Sequence, residues 1–252
     1  MNTLITALIG ILFLSICGFN QINTGVISMN CIEGNGKELT QTRKTGHFSA
    51  LHVDGAFNIK VLCGHPKTRL KITGDSNIVP HIATEVKGKT LSLYAKKSIC
   101  SKIPIMVSIE VTDLNTLILE GANDISVSEI NNAEIRVTLD GTGDINLSGK
   151  TDGLTVDLDG AGNLHAKDLK ANEVRITANG STGAEVHAVR KLHAISRDVG
   201  VIRYFGNPRD IEIDVSDVGQ VEKTGEDIGE DIGDRIEKQI EEEIEEEIGK
   251  WL

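Results

Sequence analysis

The chain has 252 residues, 39% hydrophobic but only 3% aromatic, with 26 glycines and a formal net charge of −11. That is enough apolar material for one or two folded units, but the core must be built from Val, Ile, Leu and Ala, with glycine turning the chain, a composition that suits β-structure rich in tight turns. Residues 225–252 hold twelve acids and three bases, so the body of the chain is close to neutral and lacks the basic footprint of nucleic-acid binding.

Leu4 to Ile16 is an apolar run of thirteen residues. It is short for a membrane span and fits the core of a signal peptide, here residues 1–19, which places the protein outside the cytoplasm: periplasm, outer membrane or extracellular space. The alternative is a buried N-terminal helix or strand. The "LSIC" that follows resembles a bacterial lipobox, making Cys17 a lipidation candidate, although Ile16 stands where a small residue is normally needed. Residues 20–31 read as a linker. The cysteines are Cys17, Cys31, Cys63 and Cys100. An exported chain can pair them. Cys63 follows one apolar strand and Cys100 precedes another, so Cys63–Cys100 is the preferred bridge, with unpaired thiols as the alternative.

Between residues 48 and 115 the pattern is loose. "EVKGKTLSLYAKK" and "IPIMVSIEVTDL" read as strands, the first with a hairpin turn at "GKT". Further on, "LDGTGDINL" (139–147) and "LDGAGNLHA" (158–166) nearly repeat each other. Anchoring on the residue before the acid–glycine pair gives Leu119, Leu139, Leu158, Ala178, Ser196 and Val215, at intervals of 20, 19, 20, 18 and 19 residues. Apolar residues alternate on both sides of each bend, as in strands with one buried face. Gly121, Gly141, Gly143, Gly160, Gly162, Gly180, Gly200 and Gly219 are the expected bend positions, because glycine takes positive φ freely. Asn123, Asp198 and Asp217 replace glycine at equivalent places and tolerate the same backbone. A fixed period with stacked aliphatics predicts an all-β, right-handed parallel β-helix, a solenoid of about 19–20 residues per coil. A mixed β N-terminal part would precede it. The competing architecture is a β-sandwich of hairpins.

The tail from residue 225 consists of seven tetrapeptides, with Ile recurring every four residues from Ile228 to Ile248 and a single tryptophan, Trp251. It reads as a solvated acidic extension, or as a helix that docks on the last coil, on a partner or on a second copy. On a helix this stripe drifts about 40° per step.

"IEGNGKELTQTRKTGHFSALHVDGAFNIKV" (32–61), the glycine-paired repeats and "VIRYFGNPRDIEIDVSDVGQVEK" (201–223), in that order, resemble the bacterial GIN domain, also named the putative autotransporter adhesin head domain. The resemblance covers residues 32–223. It implies an exported, cell-envelope protein with an adhesin-like role, and no family active site is carried over.

The residues themselves offer little chemistry. Asp124 and Asp144 invite a calcium reading of RTX type, but Asn163 and Gly183 take the equivalent places, which favours turn chemistry. Asp140, Asp157 and Asp159 lie near one another in the repeat and could serve a polysaccharide hydrolase or lyase built on the same scaffold, but nothing marks them off from exposed turn acids. The seven histidines are scattered, and no metal-ligand spacing or phosphate-binding loop occurs. No catalytic, metal or cofactor-binding residue is therefore assigned. The expected role is non-catalytic binding, with a glycan or cell-envelope polymer as partner. A carbohydrate-active enzyme is the alternative.

Overall fold

The computed structural model describes residues 31–224. The first strands are β1 (Ile32–Glu33), β2 (Glu38–Arg43), β3 (Ala50–Gly55), β4 (Asn58–Leu62) and β5 (Arg69–Asp75). A short 3-10 turn, Val79–His81, leads to β6 (Ile82–Lys87), β7 (Thr90–Ala95), β8 (Ile99–Cys100) and β9 (Met106–Glu110). Then come β10 (Thr116–Ala122), the long, repeatedly bent β11 (Asp124–Gly180), β12 (Gly183–Ser196), β13 (Val201–Phe205), β14 (Asp210–Val215) and β15 (Gln220–Lys223). The expected signal peptide (residues 1–19), the lipidation candidate Cys17 and the tetrapeptide tail lie outside the described residues.

β1 and β8 form a separate two-stranded parallel sheet. All the other strands belong to one 13-stranded sheet, nearly closed around a single apolar core. Its ladders are of both kinds. β10 runs parallel to β3 and β11, β4 to β9 and β11, and β12 to β11, β13 and β14. β5 lies antiparallel between β2 and β9, and β6 and β7 form an antiparallel hairpin. The expected right-handed parallel β-helix is thus corrected to a nearly closed mixed sheet; the all-β expectation agrees. The near-constant interval reflects a local relation, the parallel pairing of Leu119 with Leu139 and of Ala178 with Ser196 and Ser196 with Val215. It carries no information about the antiparallel strands 38–43, 69–75 and 82–95, whose hairpin and crossover geometry follows from turns outside the repeated pattern.

Alternation decides which side chains enter the core. Leu117 and Leu119 in β10 pair with Val137 and Leu139 in β11, and all four are fully buried. Each such side chain contributes up to about 1.5–3 kcal/mol on burial. Small aliphatics suffice because successive passes of a sheet lie only about 4.8 Å apart.

The bends need glycine for two reasons at once. Gly141 and Gly143 have φ of +148° and +128°. In addition, a Cβ at Gly141 would run into the backbone of Gly121, and one at Gly143 into the backbone of Asn123. Gly121, Gly160 and Gly180 also have positive φ, whereas Gly162, Gly200 and Gly219 do not. In the last two passes the left-handed residue is an aspartate instead, Asp198 (φ 56°) and Asp217 (φ 58°). Asn123 is fully buried; its side-chain oxygen accepts the Phe57 N–H at 3.2 Å and its amide donates to the Glu120 carbonyl at 2.7 Å.

The disulfide also differs from expectation. Cys31 is bonded to Cys100, and Cys63 is a buried free thiol. Cys63 continues the inward set Ile59 and Val61, so its sulfur faces the core. Cys100 is on the exposed side of β8, where the pairing of Ile32 with Ile99 brings Cys31 alongside at a Cα separation of 5.7 Å. Burial, with the Asp113 charge as a smaller cause, pushes the Cys63 thiol up to about 11.

A buried carboxylate secures the same end. Asp75 is fully enclosed; it accepts N–H bonds from Gly36 at 2.6 Å, Lys102 at 2.8 Å and Ile103 at 3.0 Å. These bonds, that from Ile103 foremost, hold its pKa below the usual carboxylate value.

Candidate binding groove

Three adjoining concavities of 250, 410 and 340 Å³ lie beside the strand starts of successive passes. The smallest includes Cys63, Asp113 and Asn132 in its lining; the middle one shares Asp113 and Asn132 and adds Asn115, Glu134 and Arg136. The third shares Glu134 and continues through Asp152, Glu173, Arg175, Arg190, Lys191 and His193. The shared residues make them one groove that crosses the strands.

Register places the charges. Three residues before each anchor, Thr116 pairs with Arg136, Arg175 with His193, and His193 with Glu212. Five residues before, Glu173 pairs with Lys191 and Lys191 with Asp210. Both columns alternate with buried neighbours such as Ile135, Val174, Ile176 and Leu192, so their side chains point outward. At these two positions successive passes carry Glu134 and Arg136, then Gly153 and Thr155, then Glu173 and Arg175, then Lys191 and His193, then Asp210 and Glu212, so polar and charged side chains recur at strand spacing.

Most of these side chains have a partner. Arg136 pairs with Glu134 at 3.0 Å, Arg190 with Glu173 at 3.7 Å, Lys191 with Asp210 at 2.9 Å and His193 with Glu212 at 2.7 Å. The bond to Asp210 raises the Lys191 pKa above its ordinary value. Asp152 accepts the Asn172 amide at 2.8 Å. Arg175 is exposed and, among the described residues, makes no ion pair or side-chain hydrogen bond. The groove is polar along its length and mixed in charge, with the Arg175 guanidinium, one pass before the end formed by Lys191 and His193, lacking an ion-pair partner among the described residues. Such a surface can hold a chain of hydroxyl or carboxylate groups.

The residues singled out by sequence lie elsewhere. Asp140, Asp157 and Asp159 are exposed and line none of the three concavities. Asp124 accepts the Asp144 N–H at 3.1 Å, and Asp144 accepts the Asn163 amide at 2.9 Å. These oxygens tie one pass to the next, and among the described residues no group of three or more His, Cys, Asp or Glu side chains is placed to hold a metal. The groove residues Glu134, Arg136, Glu173, Arg175, Lys191 and His193 were missed. Their signal was the same anchor alignment shifted three and five residues upstream, where charged residues recur on the outward face.

Fold and surface together define an all-β module with a lateral polar groove. The family model described as "putative auto-transporter adhesin, head GIN domain" matches residues 47–208. The chain belongs to this adhesin-head family. Among solved structures, a putative adhesin from Bacteroides fragilis NCTC 9343 is 24% identical, with a TM-score of 0.64, covering 77% of this chain and 100% of that one. A putative lipid binding protein from Parabacteroides distasonis ATCC 8503 is 20% identical, with a TM-score of 0.47, covering 77% and 99%. A putative adhesin from Parabacteroides merdae ATCC 43184 is 18% identical, with a TM-score of 0.45 and the same coverage. No curated protein matches. No helix among the described residues is long and apolar enough to cross a membrane.

Proposed function

We propose that the protein is an exported, non-catalytic binding module of the cell surface or periplasm, which holds an extended glycan or other cell-envelope polymer along the groove. The observation that carries this reading is the groove's direction. It runs across the passes, so a ligand lying in it meets a new polar side chain at each strand spacing, about 4.8 Å. A polymer with regularly spaced polar groups gains from every step, and affinity accumulates without a deep pocket. Membership of the adhesin-head family supports the same role.

The test is a glycan array probed with residues 20–252, run beside a reducing-sugar release assay on the polymers that bind. Binding of a polysaccharide, lost in Arg175→Glu and without release of reducing ends, is the expected result. Release of reducing ends, or binding unaffected by Arg175→Glu and Lys191→Glu together, would overturn it.

A further inference from the structure

One step of the outward ladder in the groove is missing. Glu134 and Arg136 on one pass, and Glu173 and Arg175 two passes on, are Glu–Arg pairs of the same form. The pass between them carries Gly153 and Thr155 at the same positions. Gly160 stacks on Gly141 and Gly180 on Gly160, which fixes this correspondence along β11. The backbones of the two flanking passes lie two strand spacings apart, about 9.6 Å. The slot between their side chains is the 340 Å³ concavity, whose lining includes Glu134, Gly153, Thr155, Glu173 and Arg175.

The backbone does not call for glycine at position 153. Gly141 and Gly143 are held by positive φ and by the collision that a Cβ would make with the adjacent pass. Gly153 does not have positive φ, and a Cβ there would sit 3.7 Å from the Ala133 carbonyl oxygen and 3.7 Å from the Glu134 Cγ, an ordinary contact. The gap is therefore room left in the groove, not bend geometry. Thr155 stands between the buried Leu154 and Val156, so its hydroxyl points outward. Among the described residues that hydroxyl has no hydrogen-bond partner.

The carboxylates of the slot each have a donor: Glu134 has Arg136, Glu173 has Arg190 and Asp152 has the Asn172 amide. Lys191 and His193 are paired with Asp210 and Glu212. Arg175 is the cation left over, and its planar fork of N–H donors matches a carboxylate. Thr155 and the spare lone pairs of Glu173 match hydroxyl groups. One free guanidinium calls for one carboxylate, and Glu134, Asp152 and Glu173 around it would repel further anions at neighbouring positions.

We propose that this slot is the selecting subsite of the groove and takes one uronic acid unit of a polysaccharide, its carboxylate on Arg175 and its hydroxyls on Thr155 and Glu173. The assignment rests on the binding-module reading above and names the unit that the groove selects.

The test measures, by titration calorimetry at fixed salt, binding of the full chain to hyaluronan, unsulfated chondroitin and polygalacturonate, each beside its carboxyl-reduced form. At least one acid form should bind the parent roughly tenfold or more tighter than its reduced form. Arg175→Gln should lose that preference while binding the reduced form as the parent does. Gly153→Leu, which fills the slot, should weaken both forms with the melting temperature unchanged. Lys60→Gln, which removes an exposed base outside the groove, should match the parent throughout. Three results would overturn the subsite: reduced forms that bind as tightly as the acid forms across the panel; an acid preference retained in Arg175→Gln; or a Gly153→Leu variant that binds like the parent. Binding confined to neutral polysaccharides would overturn the subsite and leave the groove reading standing, whereas no binding to any polysaccharide would overturn both.

Discussion

The two ends of the sheet are finished in different ways. At the N-terminal end, β2 and the β6–β7 hairpin add antiparallel strands, Cys31–Cys100 ties β1 to β8, and Asp75 gathers three backbone N–H groups. At the C-terminal end, β14 and β15 continue the parallel pairing, and no strand among the described residues pairs beyond β14, whose Ile211, Ile213 and Val215 are exposed. A stacked sheet satisfies its interior ladders through its own neighbours, so the interior reuses one set of bend residues and only the ends depart from it. The interior can be written as a near-repeat, whereas each end needs its own local chemistry.

The largest expected effect tests the covalent anchor. Cys100→Ser opens a link between residues 69 apart in sequence, and the loop-entropy model assigns such a link about 4 kcal/mol. Urea unfolding of the variant should show a loss of that order; a midpoint within error of the parent would mean that the N-terminal end is held by its strands alone. Next comes the interior between the ends. Gly141→Val combines a forbidden φ with collision against Gly121 and should cost about 1–3 kcal/mol, whereas Thr142→Val, free of both constraints, should melt with the parent.

A smaller, pH-dependent effect belongs to Asp75. Its folded-state pKa is depressed by the backbone bonds it accepts. The unfolded chain therefore binds more protons than the folded chain in the acid range. The associated stability is fully present above the unfolded value of about 3.9 and is lost as pH falls through the lower folded value. Asp75→Asn should melt below the parent at pH 7, with the gap narrowing at pH 3; parallel melting curves at the two pH values would remove Asp75 from the account of this end. The smallest effect is a rate. Cys63 is buried and its thiol is raised to about 11, so in the folded protein at pH 8 it should react with Ellman's reagent only as fast as the N-terminal half opens. Rapid labelling would show that this half opens readily and would remove burial as the protection of Cys63.

Much of this molecule was legible before its structure. The alternation around Leu119 and Leu139 marked buried strand faces, and the "GKT" turn closes the β6–β7 hairpin at Gly88, where φ is +60°. Order of motifs along the chain pointed to the adhesin-head family that the match over 47–208 shows. These features are legible because side-chain period and turn chemistry are local: they depend on neighbours within a few residues.

Other features needed the tertiary structure. Sequence spacing did not indicate that Cys31, rather than Cys63, would reach Cys100, because that follows from the pairing of Ile32 with Ile99 and from which face of β4 carries Cys63. The antiparallel strands that complete the mixed sheet follow from crossovers between distant segments. The groove exists only because residues about twenty apart are brought to strand spacing, where Lys191 and His193 meet the carboxylates of Asp210 and Glu212 and Arg175 meets none among the described residues. Local period determines which face of a strand is buried; which strands meet, and which charges are left without a partner, is decided by long-range packing that no short window of sequence contains.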